Sequence, residues 1–406
     1  MTLVNIKSLL TDIESDLRNN ILKFWIDHSI DNENGGFYGF ISNDLKADPK
    51  HYKASVLNFR LLWTFSAAYR YYMDQKYLFM AERAYDYIIN HFIDKDYSGV
   101  FRTVNYKGEP LDTKKQTYSI AFAILGLCEF YRATYRQESL EYAIELFRAL
   151  EEHSYDPINR GYIEEASRDW SPIKNICLSS NDMNAEKSTN THLHVMEAYT
   201  SLYRIWKNSD LERKLEELIN ITIYKILNPL TFQLRLFFDI NWYPLSRTVS
   251  FGHDIEGSWL LYEAAKALGN EELLNQTRMV AILMAKKVFS DGIDRKHGGI
   301  FHQRENGKVK DFKEWWSQAE AVVGFTNAYQ LTGESCFLSE ASRLWSFINK
   351  NIIDKVNGEW IWGTNADGSQ ILSHEKAGPW KSPYHNSRMC FEMLDRLKKI
   401  NTLSIA

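Results

Sequence analysis

Apolar residues recur at helical spacing through most of the 406-residue chain. Between the helical stretches lie short segments in which apolar and polar residues alternate around glycines. The periodicity predicts twelve helices, over 4–28, 53–73, 75–92, 114–134, 136–153, 187–207, 209–227, 251–268, 270–289, 313–332, 334–351 and 382–399. Short turns such as Met73-Asp74-Gln75, Leu268-Gly269-Asn270 and Thr332-Gly333-Glu334 make the helices they join antiparallel neighbours. The alternating segments, GGFYGFIS at 35, SGVFRTVNYKGEP at 98, GYIEEASRDW at 161, FQLRLFFDINWYPLS at 232, GGIFHQRENGK at 298 and GEWIWGTNADGS at 358, read as small β-hairpins. The order helix, helix, hairpin repeats about six times, and no Pro-rich or Ser-rich linker breaks it, so residues 1–406 read as one all-α domain.

If the repeats close into a ring, the second helix of each pair is the inner one, and Gly- and Ala-bearing stretches such as FSAAY, AFAILGL and AEAVVGF suit that close packing. Residues with chemistry to offer gather near the starts of these helices: Arg60, Tyr118, Asn190 with His194, His253 with Glu256, Trp316 with Glu320, and His385. They recur at intervals of roughly 60–75 residues. A ring would bring all six starts to one end. Their unpaired N–H groups and positive dipole ends would then favour an anionic intermediate in a shared pocket.

The bulk numbers narrow the field. Lys and Arg number 48 against 52 Asp and Glu, without a basic stripe, which argues against nucleic acid as a partner. No apolar run is long enough to span a membrane, and the charged, amphipathic N-terminus lacks the apolar core of a secretory signal. The cysteines Cys128, Cys177, Cys336 and Cys390 are scattered, as expected of reduced thiols in a cytoplasmic protein. Nothing resembling a coiled coil argues for assembly, so a monomer is expected. Aromatic residues at 14% serve either inter-helix packing or the stacking of sugar rings in a cleft.

Two histidines stand out by position. Ser382-Pro383 reads as an N-cap followed by the first helical residue, which puts His385 third in its helix. Ser250 as N-cap puts His253 third in its own. Matched imidazoles on two helices fit an acid/base pair, and a helix N-terminus keeps an imidazole neutral. Glu256, one turn after His253, is placed to orient that ring or to bind a hydroxyl. His192 and His194 point to different faces, Asn190 shares the face of His194, and Trp316 shares the face of Glu320. Arg60, inside an apolar run, needs an anion or several acceptors. Trp259 and Trp380 neighbour the two principal histidines. No H-E-x-x-H pair occurs, so no metal is expected, and no phosphate loop, dinucleotide fingerprint or G-x-S-x-G elbow is present.

The strings VLNFRLLWTFSAAY, TNTHLHVMEAYTSLY, FGHDIEGSWLL, WWSQAEAVVGFTNAYQ and PWKSPYHNSRMC resemble the N-acylglucosamine 2-epimerase superfamily over essentially the whole chain, and within it the branch acting on β-1,4-linked disaccharides. The resemblance implies an (α/α)6 barrel and cofactor-free inversion at carbon 2 of the reducing-end sugar of cellobiose, lactose or mannobiose. It implies that His253 and His385 are the general acid/base pair, with His194 assisting ring opening or binding the intermediate. Arg60 is a fourth catalytic candidate, placed to stabilise the intermediate, and Tyr118, Asn190, Glu256, Trp259, Trp316, Glu320 and Trp380 surround the sugar. Phe59, Ser382 and Ser387 depart from the family's usual Ser, Cys and Gly and bear on substrate preference.

The chemistry suits two histidines. Once the sugar ring opens, the hydrogen beside the aldehyde is acidic. One imidazole removes it to leave a planar enediolate, and the other reprotonates the opposite face. The competing readings are an aldose–ketose isomerase on the same scaffold, an N-acylglucosamine epimerase and a non-catalytic sugar-binding protein.

Overall fold

The computed structural model describes residues 4–177 and 183–403. Twelve helical rods span these residues. We number them α1 (Ile6–Asp16, continuing through a π-turn, Leu17–Ile21, into Leu22–His28), α2 (Ser55–Tyr72), α3 (Gln75–His91), α4 (Thr117–Thr134), α5 (Gln137–Ala149, ending in a π-turn, Leu150–Ser154), α6 (Thr189–Ile205), α7 (Ser209–Ile221, ending in a π-turn, Thr222–Ile226), α8 (Phe251–Leu268), α9 (Glu271–Asp291), α10 (Trp315–Thr332), α11 (Ser335–Asn351) and α12 (Tyr384–Leu403). The even-numbered helices pack each against the next, and α12 returns to α2, closing an inner ring; the odd-numbered helices form the outer layer. This is the (α/α)6 toroid. Inner helices are buried almost all round, as α4 shows from Thr117 to Phe130, whereas outer helices bury one stripe. None of the described helices is long and apolar enough to cross a membrane.

The predicted helices are all present, with ends displaced by a few residues. Four tight turns join an inner helix to the outer helix that follows it, so the first helix of each such pair is the inner one, not the second as expected. They turn on a left-handed residue: Met73 (φ 55°), Tyr135 (φ 57°), Gly269 (φ 77°) and Gly333 (φ 73°). Glycine adopts that conformation without the Cβ clash that the two side-chain-bearing residues tolerate.

Two of the Gly-rich segments form the expected hairpins, Thr103–Val104 with Pro110–Asp112 and Gln303–Glu305 with Lys308–Lys310, and the segments also pair across repeats. The two residues entering an inner helix pair with the segment of the next repeat: Lys53–Ala54 with Thr103–Val104, Lys115–Gln116 with Glu165–Ala166, Lys187–Ser188 with Phe237–Phe238, Val249–Ser250 with Gln303–Arg304, and Lys313–Glu314 with Gly363–Thr364. A bridge between Ile41 and Ala377 completes the circle. Backbone groups that a lone hairpin would leave at its edge are thereby satisfied around the ring.

Each of five repeats also carries a buried lysine–aspartate pin. Lys53 reaches Asp31 (2.8 Å), Lys115 Asp94 (2.7 Å), Lys187 Asp156 (2.8 Å), Lys313 Asp294 (2.9 Å) and Lys376 Asp354 (2.5 Å). The aspartate's other oxygen accepts N–H bonds from its own turn, as Asp31 does from Glu33 and Asn34. The pin thus ties the turn after an outer helix to the entrance of the next inner helix. In the fourth repeat Val249 holds the lysine's position, two residues before its inner helix, and Asn228 takes over the turn bond.

Burial alone would raise these carboxyls. Bonds to Arg168 and Lys115 instead hold Asp94 at about 2, and Asp31, Asp156, Asp294 and Asp354 also lie below the ordinary carboxylate value. A depressed folded-state pKa gives stability that is complete above the unfolded value of about 3.9 and is lost as pH falls through the folded value. The pins' contribution should therefore persist from neutrality to about pH 4 and fall steeply between about pH 4 and pH 2. Circular-dichroism melts across that range check this, and loss of the pins' contribution already between pH 6 and 5 would contradict it.

Candidate active site

The starts of the six inner helices converge at the end of the toroid that carries the pinned turns. The functional side chains there lie in two tiers. Tyr118, Asn190, His253, Trp316 and His385 sit in the first turns of α4, α6, α8, α10 and α12. About one turn deeper come Arg60, His194, Glu256, Glu320 and Arg388, with Glu197 and Trp259 below them.

His253 and His385 both lie against one indole. The Trp316 ring is 4.9 Å from the His253 ring and 5.7 Å from the His385 ring, centroid to centroid. The two imidazoles thus come from the helices on either side of α10 and meet at its first turn. Glu314, the residue before α10, fixes the indole by accepting its Nε1–H at 2.7 Å.

The two histidines are held differently. His253 is third in α8 as expected. Ser250 caps the helix by accepting the His253 backbone N–H at 3.3 Å and meets its Nδ1 at 2.8 Å. A hydroxyl serves either tautomer. His385 Nδ1 instead meets a carboxylate, Glu320 Oε1, at 2.8 Å. That bond fixes the proton on Nδ1 and leaves Nε2 as the working nitrogen. Burial lowers His253 to about 3, helped by the neighbouring His194 and His302. Burial, then Arg60 and Arg388, carry His385 well below the ordinary imidazole value. Both rings are neutral at physiological pH, the form a base requires.

His194 forms a second histidine–carboxylate pair, with Nδ1 at 2.9 Å from Glu197 Oε2. Burial pushes Glu197 up, but Arg388 and His194 reverse this and hold it at about 2. The His194 ring is edge-on to Tyr118 at 5.1 Å. Arg60 donates to Tyr118 Oη at 2.7 Å and to the Trp380 carbonyl at 3.3 Å, with Phe122 under its guanidinium at 4.3 Å. Trp380 and Tyr118 lie 5.8 Å apart. The side chain of Asn190, half-buried one turn before His194, hydrogen-bonds to none of the described residues. His192 points away, into the outer layer, where Nε2 accepts the Tyr162 N–H at 2.9 Å.

Two expectations are corrected. Glu256 does not orient His253, whose ring belongs to Ser250. The long carboxylate reaches inward to Arg388 (2.6 Å) and lies 3.9 Å from His385. Ser382 does not cap α12. Its hydroxyl is buried with no hydrogen-bond partner among the described residues, the first helical bond runs from the Ser387 N–H to the Pro383 carbonyl, and His385 is second rather than third in the helix. The neighbouring departures from the family pattern are absorbed by packing. Phe59 is core, 6.2 Å from Phe92, and the Ser387 hydroxyl meets Thr64 at 3.2 Å.

Sequence reading overlooked Arg388, Tyr384 and Glu197. Arg388 lies one turn after His385, and Glu197 one turn after His194. Glu256, Glu320 and His385 offer three ligand atoms within 4.8 Å of one another, a spacing suited to a cation. One oxygen of each carboxylate is, however, already paired with the Arg388 guanidinium.

Comparison with known proteins places these residues in context. Residues 35–388 match the family model described as N-acylglucosamine 2-epimerase (GlcNAc 2-epimerase). A cellobiose 2-epimerase of Bacteroides fragilis is 45% identical over 387 residues, covering 95% of this chain and 98% of the relative. The solved structure of cellobiose 2-epimerase from Bacillus thermoamylovorans superposes with a TM-score of 0.92 at 38% identity, over 96% of this chain and 100% of that one. A D-mannose isomerase structure, at 21% identity and a TM-score of 0.84, shares the fold.

Proposed function

This chain belongs to the N-acylglucosamine 2-epimerase family and is a sugar epimerase, and on that premise we propose that it inverts carbon 2 of the reducing-end sugar of β-1,4-linked disaccharides, converting cellobiose to glucosyl-mannose. Lactose and mannobiose are the other substrates of this reading. The observation that carries the mechanism is the pairing of His253 and His385 against the single Trp316 ring.

The open-chain aldehyde lies between the two imidazoles. One takes the carbon-2 proton, which leaves a cis-enediolate; the other delivers a proton to the opposite face. His194, linked to Glu197, moves the proton that opens and recloses the ring. Arg60 and the converging helix starts stabilise the enediolate oxygen, a contribution that is often the largest in such reactions. Trp316 and Trp380 offer flat faces to the sugar. Tyr118 and Asn190 bind hydroxyls, while Glu256, Glu320 and Trp259 support the histidines from beneath. The enzyme acts as a cytoplasmic monomer without metal or cofactor.

The test is incubation of the pure protein with cellobiose in D2O, followed by chromatography and NMR of the product. Glucosyl-mannose carrying deuterium at carbon 2 is expected. Glucosyl-fructose as the principal product would replace this reading with the aldose–ketose isomerase. No turnover of cellobiose, lactose or mannobiose would overturn it.

A further inference from the structure

Beneath the two carboxylate-bound histidines lies one guanidinium that no step of the reaction uses. Arg388 Nη2 donates to Glu256 Oε1 (2.6 Å) and to Glu320 Oε1 (2.7 Å), and Nη1 donates to Glu197 Oε1 and to Tyr384 Oη (2.9 Å). Tyr384 in turn donates to Glu197 Oε1 at 2.5 Å. The guanidinium is fixed from both sides, 4.9 Å from the Trp259 ring and 4.6 Å from the Tyr384 ring. A side chain of α12 thus gathers carboxylates from α6, α8 and α10. Two of these, Glu197 and Glu320, are the Nδ1 partners of His194 and His385.

We propose that Arg388 is a positioning residue for the epimerisation: by clamping Glu197, Glu256 and Glu320 together it sets how many protons the buried cluster holds, and so keeps His385 neutral with Nε2 facing the pocket. The inference rests on the epimerase reading above.

The charge count supports it. Three carboxylates face one guanidinium, and an uncompensated buried charge is costly. The cluster relieves that excess by keeping a proton on Glu256, which burial and the adjacent Glu320 raise to about 7. The groups facing His385 are Arg60 from α2, His194 and Glu197 from α6, His253 and Glu256 from α8, Glu320 from α10, and Tyr384 and Arg388 from α12. Among these, Arg388 is the cation bonded to the very oxygen that holds the imidazole, Glu320 Oε1. Without it, the extra negative charge is satisfied by proton uptake on the carboxylates and on His385 itself.

The experiment is the pH profile of kcat/KM for Arg388→Met, Arg388→Lys and Arg388→Met/Glu197→Gln, each checked for native circular dichroism. Arg388→Met should move the acidic limb up by about one pH unit or more and lower kcat about 10²-fold, with KM changed less than about threefold. Arg388→Lys keeps the charge but loses the planar fork. It should leave the limb within about half a unit of wild type while kcat falls about tenfold. The double variant removes the charge of Glu197, whose carboxyl the folded protein holds ionised at about 2, so it restores the wild-type net charge and should move the limb back toward wild type. Should Arg388→Met not fold, the double and the lysine variants carry the comparison. A folded Arg388→Met with the wild-type profile would overturn the inference, as would a lysine variant shifted as far as the methionine, or a double variant shifted at least a unit. An inactive wild-type protein would sink the epimerase reading instead.

Discussion

Replacing His385 by alanine is expected to lower epimerisation by about 10²–10⁴-fold, the usual contribution of a positioned acid or base, with the fold retained. Glu320 keeps its bonds to Arg388 and to the Trp259 indole (3.1 Å) after the imidazole is gone, so no buried carboxylate is orphaned. His253→Ala should fall by a similar factor. Its helix cap survives, because Ser250 accepts the backbone N–H of residue 253 whatever its side chain. The two variants should be distinguishable by isotope exchange. With one imidazole removed, the other still reaches its own face of carbon 2. Each variant should therefore exchange the carbon-2 hydrogen of one epimer with D2O without inverting it, and the two variants should act on opposite epimers. NMR of cellobiose and glucosyl-mannose incubated separately with each variant measures this. Wild-type epimerisation rates in either variant would remove that histidine from the mechanism.

Lys53→Met should cost about 3–5 kcal/mol of stability, the range for breaking a fully buried ion pair from one side. Lys53 and Asp31 are each 1% exposed. The ammonium also donates to the Gly35 carbonyl at 2.6 Å and sits 4.9 Å from the Tyr87 ring, so its removal strips a charge and a carbonyl of their partner together. The double variant Lys53→Met/Asp31→Asn should recover most of the loss. Asparagine keeps the oxygen that accepts the Glu33 and Asn34 N–H groups, and no unpaired charge remains. The fourth repeat already has this form, with Val249 and Asn228 in the two positions. Urea unfolding of the two variants gives the comparison. A double variant as unstable as the single one would show that the pin acts through something other than charge pairing.

Much of this was legible in the chain. Helical period and left-handed turn residues are local properties, and they placed all twelve helices and the tight turns at Met73, Gly269 and Gly333. Ser250 ahead of His253 was a local cap, correctly read. Glu256 was misread because i, i+3 spacing brings two side chains near one another without deciding which partner a long carboxylate takes. Arg388, 132 residues away in sequence, won that competition. Ser382-Pro383 resembled a cap, yet the Ser382 hydroxyl is buried without a partner among the described residues. The pins escaped notice because each links a turn to a lysine 19 to 31 residues on, across an element boundary that periodicity does not cross.

The sequence by itself determined the element order, the ring of helix starts and the residue types that meet there, since these follow from local spacing and from a recognisable family pattern. Tertiary structure alone decided the partners. A hydroxyl supports one imidazole and a carboxylate the other, and one guanidinium carries three carboxylates from three helices. Such choices depend on which side chains closure of the toroid brings within hydrogen-bonding distance in a dry interior, where every buried charge must find an opposite.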